Sequence, residues 1–169
     1  MFRELPVSDF KENPFEMIGK EAFLLTAGDE KSGFNTMTAA WGAMGYIWRK
    51  NIAVAVVRPQ RYTFKFMEEN DRFTMSFFGG KEKDALAFCG TKSGRDFDKC
   101  KETGLIPVFD GDVTYFEQAR LVIKCRKIYV GKVEEAEFLD MDICNSSYPA
   151  KDYHSVYVGE IEQILVNED

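Results

Sequence analysis

The sequence has a single histidine and no closely spaced pair of cysteines. The four cysteines are spread along the chain without a C-x-x-C spacing, and the only imidazole is that of His154. A zinc site or an iron–sulfur cluster of standard spacing needs several such ligands close together, so we predict no metal site. No local feature marks any thiol as reactive. The cysteines are Cys89, Cys100, Cys125 and Cys144.

Long apolar runs and concentrated positive charge are also missing. The first ten residues, MFRELPVSDF, lack the apolar segment of a signal peptide, and no run approaches membrane-spanning length. We therefore expect a cytoplasmic protein with reduced thiols. The formal net charge is −6, without a long basic run. This balance disfavours nucleic acid and membrane surfaces as partners.

Several catalytic sequence motifs do not occur. The chain contains no G-x-S-x-G elbow, no Walker loop, no G-x-G-x-x-G and no H-E-x-x-H. These absences argue against an α/β-hydrolase, a P-loop nucleotide hydrolase, a Rossmann dinucleotide-binding domain and a zinc protease.

The composition predicts one β-rich domain over residues 1–169. Aromatic residues make up 14% of the chain and apolar residues 45%, with no repeat and no linker. Strands in hairpin order, without regular βαβ alternation, favour a closed antiparallel barrel. We expect strands near 21–27, 34–40, 46–49, 52–57, 72–78, 113–116 and 119–133, with a bulge near Lys127, and then either a strand pair or one bent strand at 153–166. We expect helices at 62–70 and 81–89, a short helix capped by Asp96 that ends before Gly104, and a helical turn within 134–142. Loops are expected at 28–33, 105–111 and 144–152.

The stretch 34–63 indicates a binding site. Residues 52–57, IAVAVV, are predicted to be a strand buried on both faces, and the thin face with Ala53 and Ala55 would let a flat group or another backbone come close. This strand leads to Arg58, Arg61 and the start of a helix, a combination that suits a phosphate. The alternative is that the arginines are solvated and Thr63 only caps the helix.

Four segments, in order, resemble the flavin reductase-like family, and specifically its flavoredoxin-type branch. They are NTMTAAWG at 35–42, RPQRYT at 58–63, SGRDFDK at 93–99 and HSVYVGEI at 154–161. The resemblance implies the FMN-binding split-barrel fold, an antiparallel Greek-key split β-barrel that is mainly β with a few short helices. It also implies a homodimer, and an interface would help to bury the many aromatic side chains.

The resemblance also implies roles for particular residues. Trp41 would pack near the flavin ring, although it could equally be ordinary core. Lys99 would add positive charge on the phosphate side, unless it is a solvated helix lysine. The residues expected to border the ring are Asn35, Thr36, Met37 and Thr38; those around the phosphate and ribityl chain are Arg58, Arg61, Tyr62, Thr63, Ser93, Gly94 and Lys99.

His154 is the candidate catalytic residue. In resembling proteins a histidine at this position lies near the flavin or the nicotinamide, and an imidazole could bond a reduced ring or a substrate. The alternative is a partly buried histidine satisfied by backbone. Because hydride transfer needs no obligate protein acid or base, the reaction itself does not require His154 to act as one.

The resemblance implies an FMN-dependent oxidoreductase, an NAD(P)H-dependent flavin reductase. NADH or NADPH would deliver a hydride to the flavin N5, and the electrons would pass to free flavin or to a redox protein partner. Without a Rossmann fingerprint, the nicotinamide would bind transiently. The first alternative is a non-enzymatic electron carrier with tightly bound FMN, and the second is a small barrel without flavin that serves as an interaction module.

Overall fold

The computed structural model describes residues 1–168, so Asp169, the last residue of the predicted domain, lies outside the described residues. Within these residues an eight-stranded antiparallel sheet and a separate two-stranded sheet form the framework. The strands are β1 Phe2–Leu5, β2 Phe23–Asp29, β3 Gly33–Ala39, β4 Gly42–Ile47, β5 Lys50–Val57, β6 Arg72–Phe77, β7 Pro107–Asp110, β8 Val113–Phe116, β9 Leu121–Lys132 and β10 Ser155–Asn167.

The large sheet curls so that its two end strands meet. The hydrogen-bonded order is β3-β2-β6-β9-β10-β5-β4, with β1 paired to β10. Strands β3 and β4 are at opposite ends of this path, yet only Ala40 and Trp41 link them along the chain. Since such a link spans at most about 11 Å, the two end strands must approach each other. We call this junction the seam. Strands β3 and β4 are not paired with each other there, so the predicted barrel is not closed by hydrogen bonds at this point.

The helices are short and lie between the strands. The N-terminal helix continues as a π-helical turn, Met17–Glu21. None of the helices described is long and apolar enough to cross a bilayer. They are α1 Pro14–Glu16, α2 Tyr62–Glu69, α3 Lys83–Thr91, α4 Lys99–Thr103 and α5 Met141–Ser147, with 3-10 turns at Val7–Asp9 and Glu135–Glu137.

Apolar residues fill the barrel and also cover part of its outside. The predicted strand at 72–78 is confirmed as β6, in which apolar and polar residues alternate, and Phe73, Met75 and Phe77 point into the barrel core. The other face of β6 is buried too, since Thr74 Oγ1 donates to the carbonyl of Thr114 at 2.6 Å. A second apolar cluster there joins β8 to helix α3.

The alanine face of β5 belongs to the barrel core, so the flat group that comes close to it is a side chain of the protein itself and not a ligand. Ala53, Ala55 and Val57 are fully buried. Ala55 pairs with Tyr157 of β10, and residues opposite each other in an antiparallel pair share a face. The small side chains therefore make room for the fully buried Tyr157 ring. The opposite face is only partly buried, at Val54 and Val56.

The predicted loop at 105–111 was wrong, because Pro107–Asp110 forms a hairpin with Val113–Phe116. Proline is tolerated as the first residue of a strand, where no ladder N–H is needed. Gly111 has a φ of +65° in the two-residue turn, a conformation that glycine adopts readily. The Gly-Asp pair at 111–112 was the signal for this hairpin.

Two helix starts also differ from the prediction. Asp98, rather than Asp96, is the N-cap of α4, and its side chain accepts from the N–H of Lys101 at 3.1 Å. The segment predicted as a loop at 144–152 begins inside α5, whose N-cap Asp140 accepts from two backbone N–H groups. Short helices depend on such caps because they have few internal bonds.

The predicted bend in the long strand β9 is confirmed. Tyr129 pairs with Val158 and Lys127 pairs with Gly159, so Ile128 is skipped in the register. A skipped residue is a β-bulge, which bends and twists its strand. The last segment is a single strand, β10, with a further irregularity between Ile161 and Gln163.

Candidate functional site

A small pocket collects most of the residues predicted to hold a phosphate. It has a volume of about 120 Å³ and lies between β3, the start of α2 and the loop from α3 to α4. We call it the cationic pocket. The predicted residues that line it are Asn35, Met37, Arg61, Tyr62, Thr63, Ser93, Gly94 and Lys99, and those not predicted are Gln60, Thr91, Lys92 and Arg95.

Lys99 is a buried cation in this pocket, so its alternative as a solvated helix lysine is wrong. Its side chain is 7% exposed. Nζ donates to the carbonyls of Thr36 at 2.6 Å and Cys89 at 3.0 Å, which leaves a third proton for another acceptor. Burial lowers the pKa of Lys99 to about 8, and the nearby positive charge of Arg61 acts in the same direction.

Arg61 is a second cation in the same pocket. Its Nη1 donates to the carbonyl of Gly90 at 3.0 Å, and burial lowers its pKa. Neither Arg61 nor Lys99 has a carboxylate partner within residues 1–168. Two partly desolvated positive charges that repel each other are stabilised by an anion between them.

Uncharged backbone N–H donors also lie at the cationic pocket. Helix α2 begins at Tyr62 without a side-chain cap, and within residues 1–168 the N–H groups of Tyr62 and Thr63 have no acceptor. Free N–H groups at a helix start favour an anion. Thr63 does not cap the helix, because the N-cap residue is Arg61; the Thr63 hydroxyl instead accepts from Asn35 Nδ2 at 2.8 Å.

Gly94 lets the loop close tightly over β3. A Cβ atom at this position would lie 2.0 Å from Asn35 Oδ1 and 3.1 Å from the Tyr62 ring. Any larger residue would displace the Asn35 side chain that holds Thr63. Gly94, in the SGRDFDK segment, is therefore required where the loop packs against Asn35 and Tyr62.

A second pocket, of about 180 Å³, lies at the seam and shares Met37 with the cationic pocket. We call it the seam pocket. Trp41 is 49% exposed at its edge, so the alternative of an ordinary core tryptophan was wrong. Thr38 is anchored by a hydrogen bond from Oγ1 to the carbonyl of Leu86 at 2.5 Å. The lining residues are Met37, Thr38, Ala39, Ala40, Trp41, Val56, Arg58 and His154.

Thr36 lies outside both pockets. Its side chain is buried, and its hydroxyl is 2.8 Å from that of Thr26 and donates to the carbonyl of Leu25. Only its backbone carbonyl, which accepts from Lys99, reaches toward the cationic pocket.

Arg58 lies in the seam pocket rather than the cationic pocket. It forms an ion pair with Asp152 at 2.6 Å and donates to the carbonyl of Ser147 at 2.8 Å. Its guanidinium also stacks 5.9 Å from the Trp41 ring and 5.0 Å from that of Tyr148. The two arginines predicted to surround one phosphate are therefore separated.

His154 is 8% exposed and is held by a tyrosine. Its Nδ1 lies 2.8 Å from Tyr148 Oη, and its ring centroid is 5.2 Å from that of Trp41. Burial lowers the pKa of His154 to about 4, with a further contribution from Arg58, so the imidazole is neutral at physiological pH. Its ring partner is a side chain, not the backbone as the alternative supposed.

Some pocket residues had a signal in the sequence and others had none. Gln60 and Arg95 lie within RPQRYT and SGRDFDK, the two segments that supplied most of the predicted phosphate residues. Tyr148 and Asp152 lie in a segment expected to be a loop. Only the fold brings this segment to the seam.

Comparisons with known proteins identify the family and the fold of the chain. A family model for the flavin reductase like domain matches residues 17–169. A search of curated proteins found no match. Many solved structures are similar in fold, among them three with identities below 25%, and one of these three carries the split-barrel description, which confirms the expected architecture.

The first is the flavoredoxin of Desulfovibrio vulgaris (Miyazaki F), at 23% identity and a TM-score of 0.67 over 87% of this chain and 69% of that chain. A candidate flavin reductase with a split barrel domain from Shewanella frigidimarina NCIMB 400 has 13% identity and a TM-score of 0.67, over 92% and 73%. The NADH:FAD oxidoreductase SgcE6 of Streptomyces globisporus, solved with NAD and FAD fragments, has 12% identity and a TM-score of 0.62, over 87% and 74%.

Proposed function

Because the chain belongs to the flavin reductase-like family, we propose that it is an FMN-binding oxidoreductase, a flavin reductase that uses NADH or NADPH. The observation that carries this proposal is the pair of cations without a carboxylate partner, Arg61 and Lys99, in a pocket that shares Met37 with the seam pocket. A phosphate would fit the first pocket and an aromatic ring the second.

FMN fits these residues better than riboflavin or a dinucleotide. The cationic pocket is compact and suits a single phosphate group. The phosphate would accept from the third proton of Lys99, from the Arg61 guanidinium and from the free N–H groups of Tyr62 and Thr63. Without these interactions, riboflavin would leave both cations uncompensated.

The flavin, when bound, would supply the chemistry by accepting a hydride and passing on electrons. The chain's own residues would bind and orient it. Thr38, fixed by its bond to Leu86, would hold one edge of the seam pocket. Trp41, half exposed, would border the open side that a nicotinamide needs to approach. Neutral His154 would offer a hydrogen bond without adding charge.

The second candidate is an electron carrier with tightly bound FMN and no nicotinamide activity. The similarity to a flavoredoxin favours it, whereas the similarity to an NADH:FAD oxidoreductase favours the reductase. The two proposals differ in whether NADH or NADPH reduces the bound flavin: the reductase would be reduced, and the carrier would not.

An anaerobic absorption spectrum separates the two candidates. We expect flavin bands after incubation with FMN, and fast bleaching when NADH or NADPH is added. Bands that persist with both nucleotides but bleach with dithionite would favour the carrier. A protein that gains neither flavin bands nor a quenched flavin fluorescence on titration with FMN would contradict both.

We also propose that the protein is a cytoplasmic homodimer that can pass electrons to a redox protein. Exposed aromatic side chains support an interface, since Tyr46, Trp48 and Tyr129 are all more than half exposed. The Trp48 and Tyr129 rings lie 5.8 Å apart and form one apolar area. Light scattering at micromolar concentration should give the dimer mass, and a monomer mass would contradict this part of the proposal.

A further inference from the structure

Tyr148 bonds His154 in a way that determines where the imidazole proton lies. The phenol oxygen is 2.8 Å from Nδ1. Tyr148 is buried, and among residues 1–168 its hydroxyl has no hydrogen-bond acceptor other than Nδ1, so a phenol proton that pointed elsewhere would be left unpaired. The phenol proton therefore points to Nδ1, which must carry a lone pair to receive it.

The imidazole is also kept uncharged by its surroundings. His154 is almost fully buried, and the Arg58 cation lies against the same cluster, while the Asp152 carboxylate opposes this effect. Asp152 is itself engaged by Arg58 and by Gln60. A neutral imidazole whose Nδ1 accepts a hydrogen bond has its proton on Nε2.

The Nε2 atom has no hydrogen-bond partner among residues 1–168, although His154 lines the seam pocket beside Trp41. A donor inside a concave site without a protein acceptor is available to a ligand. The Tyr148 phenol, which orients the imidazole, is held in place by other rings. Its ring centroid lies 5.0 Å from that of Tyr153 and 6.0 Å from that of Phe138.

We propose that Tyr148 is a positioning residue that holds His154 as its neutral Nε2–H tautomer, a fixed, uncharged hydrogen-bond donor to an acceptor atom of a heteroaromatic ligand in the seam pocket. The identity of that ligand rests on the proposed function; the tautomer does not. A carbonyl or ring nitrogen of the flavin and the carboxamide oxygen of a nicotinamide share this acceptor chemistry. His154 would then orient a ring rather than deliver a proton at neutral pH.

Nitrogen NMR of histidine-labelled protein tests the tautomer directly, because the chain has one histidine and gives one imidazole signal pair. In wild type we expect the protonated resonance at Nε2, the unprotonated one at Nδ1, and no titration between about pH 5 and 8. In Tyr148→Phe the Nδ1 bond is lost, so we expect a mixture of tautomers and a higher pKa. The matched control Tyr153→Phe should resemble wild type.

A proton on Nδ1 in wild type, a charged imidazole at pH 7, or an unchanged spectrum in Tyr148→Phe would overturn the proposal. The wild-type spectrum decides even if the variant does not fold.

A second arm tests the donor role. If FMN alone shifts the Nε2 resonance, the acceptor is on the flavin; if only oxidised NAD added to the FMN complex shifts it, the acceptor is on the nicotinamide. FMN binding, seen by fluorescence, with no shift in either case would overturn the donor role and leave the proposed function intact. If FMN does not bind, the proposed function fails, while the tautomer measurement still decides the role of Tyr148.

Discussion

At the scale of single residues, the direction of each side chain matters more than its place in a motif. Arg58 and Arg61 stand three residues apart, and a turn closed by the N–H of Arg61 and the carbonyl of Arg58 separates them. Arg58 turns to Asp152 and the seam, whereas Arg61 turns to Gly90 and the cationic pocket. Similar residues in one short segment therefore have different expected roles.

Replacing each arginine should give a different binding pattern. Arg61→Gln removes a charged donor from the phosphate side, so FMN affinity should fall by roughly ten- to a hundredfold, as expected for a loss of about 1.5–3 kcal/mol. Riboflavin affinity should change little. The matched variant Arg58→Gln should weaken FMN and riboflavin by a similar factor. Fluorescence titrations with both ligands check this, and an equal loss for both ligands in Arg61→Gln would contradict the phosphate assignment.

Lys99 should make FMN binding depend on pH. With a pKa near 8 in the free protein, Lys99 is charged below this value and neutral above it. A phosphate stabilises the charged form, so FMN affinity should weaken above pH 8 by up to about tenfold per pH unit. Titrations from pH 7 to 9.5 measure this, with riboflavin as the ligand control.

The variant Lys99→Met should bind FMN more weakly and lose this pH dependence. Lys101→Met changes an exposed lysine of the same helix and should leave both properties as in wild type. A pH dependence that persists in Lys99→Met would assign the titration to another group.

Residue types could be predicted from the sequence, but their partners could not. Arg61, Thr63 and Lys99 were expected on the phosphate side and do meet in one pocket, whereas Asn35, which was expected at the ring, lines the same pocket. Tyr148 was missed because a tyrosine in a segment without periodicity carries no sign of the imidazole that it bonds. The burial of Lys99 was also invisible, since the segment around it is mostly charged. The charged residues close by in the sequence include Asp96, Asp98, Lys101 and Glu102.

At the scale of elements, strands with clear alternation were predictable and short capped helices were not. The alternation of β6 and the bulge of β9 follow from side-chain parity, which the sequence displays. Helix α4 has only five residues, so its start depends on one capping side chain. Two aspartates stand two residues apart there, and propensity alone did not distinguish them.

The capping difference gives a testable pair of variants. Asp98→Ala should lower the free energy of unfolding by about 1 kcal/mol, because the N–H of Lys101 loses its acceptor. The same change should weaken FMN binding, since α4 carries Lys99. Asp96→Ala should change both properties little. Denaturant unfolding and FMN titration measure the two effects, and equal losses in the two variants would contradict this account of α4.

At the scale of the whole molecule, the seam explains where the site lies. Strands β3 and β4 are the ends of the large sheet, and the two-residue link between them lines the seam pocket. Strand β3 also supplies Asn35 and Met37 to the cationic pocket. Hairpin order and the resemblance predicted a barrel, whereas its opening depends on pairing between distant strands, which no local pattern reveals.

The most direct test of a phosphate held in the cationic pocket is the melting temperature of wild-type protein with FMN and with riboflavin. A ligand that binds only the folded state raises the melting temperature as its concentration increases over its dissociation constant. The two ligands share the ring and differ in the phosphate. We expect a clear, concentration-dependent rise with FMN and a much smaller one with riboflavin at equal concentrations. Equal rises, or none with FMN, would contradict the account.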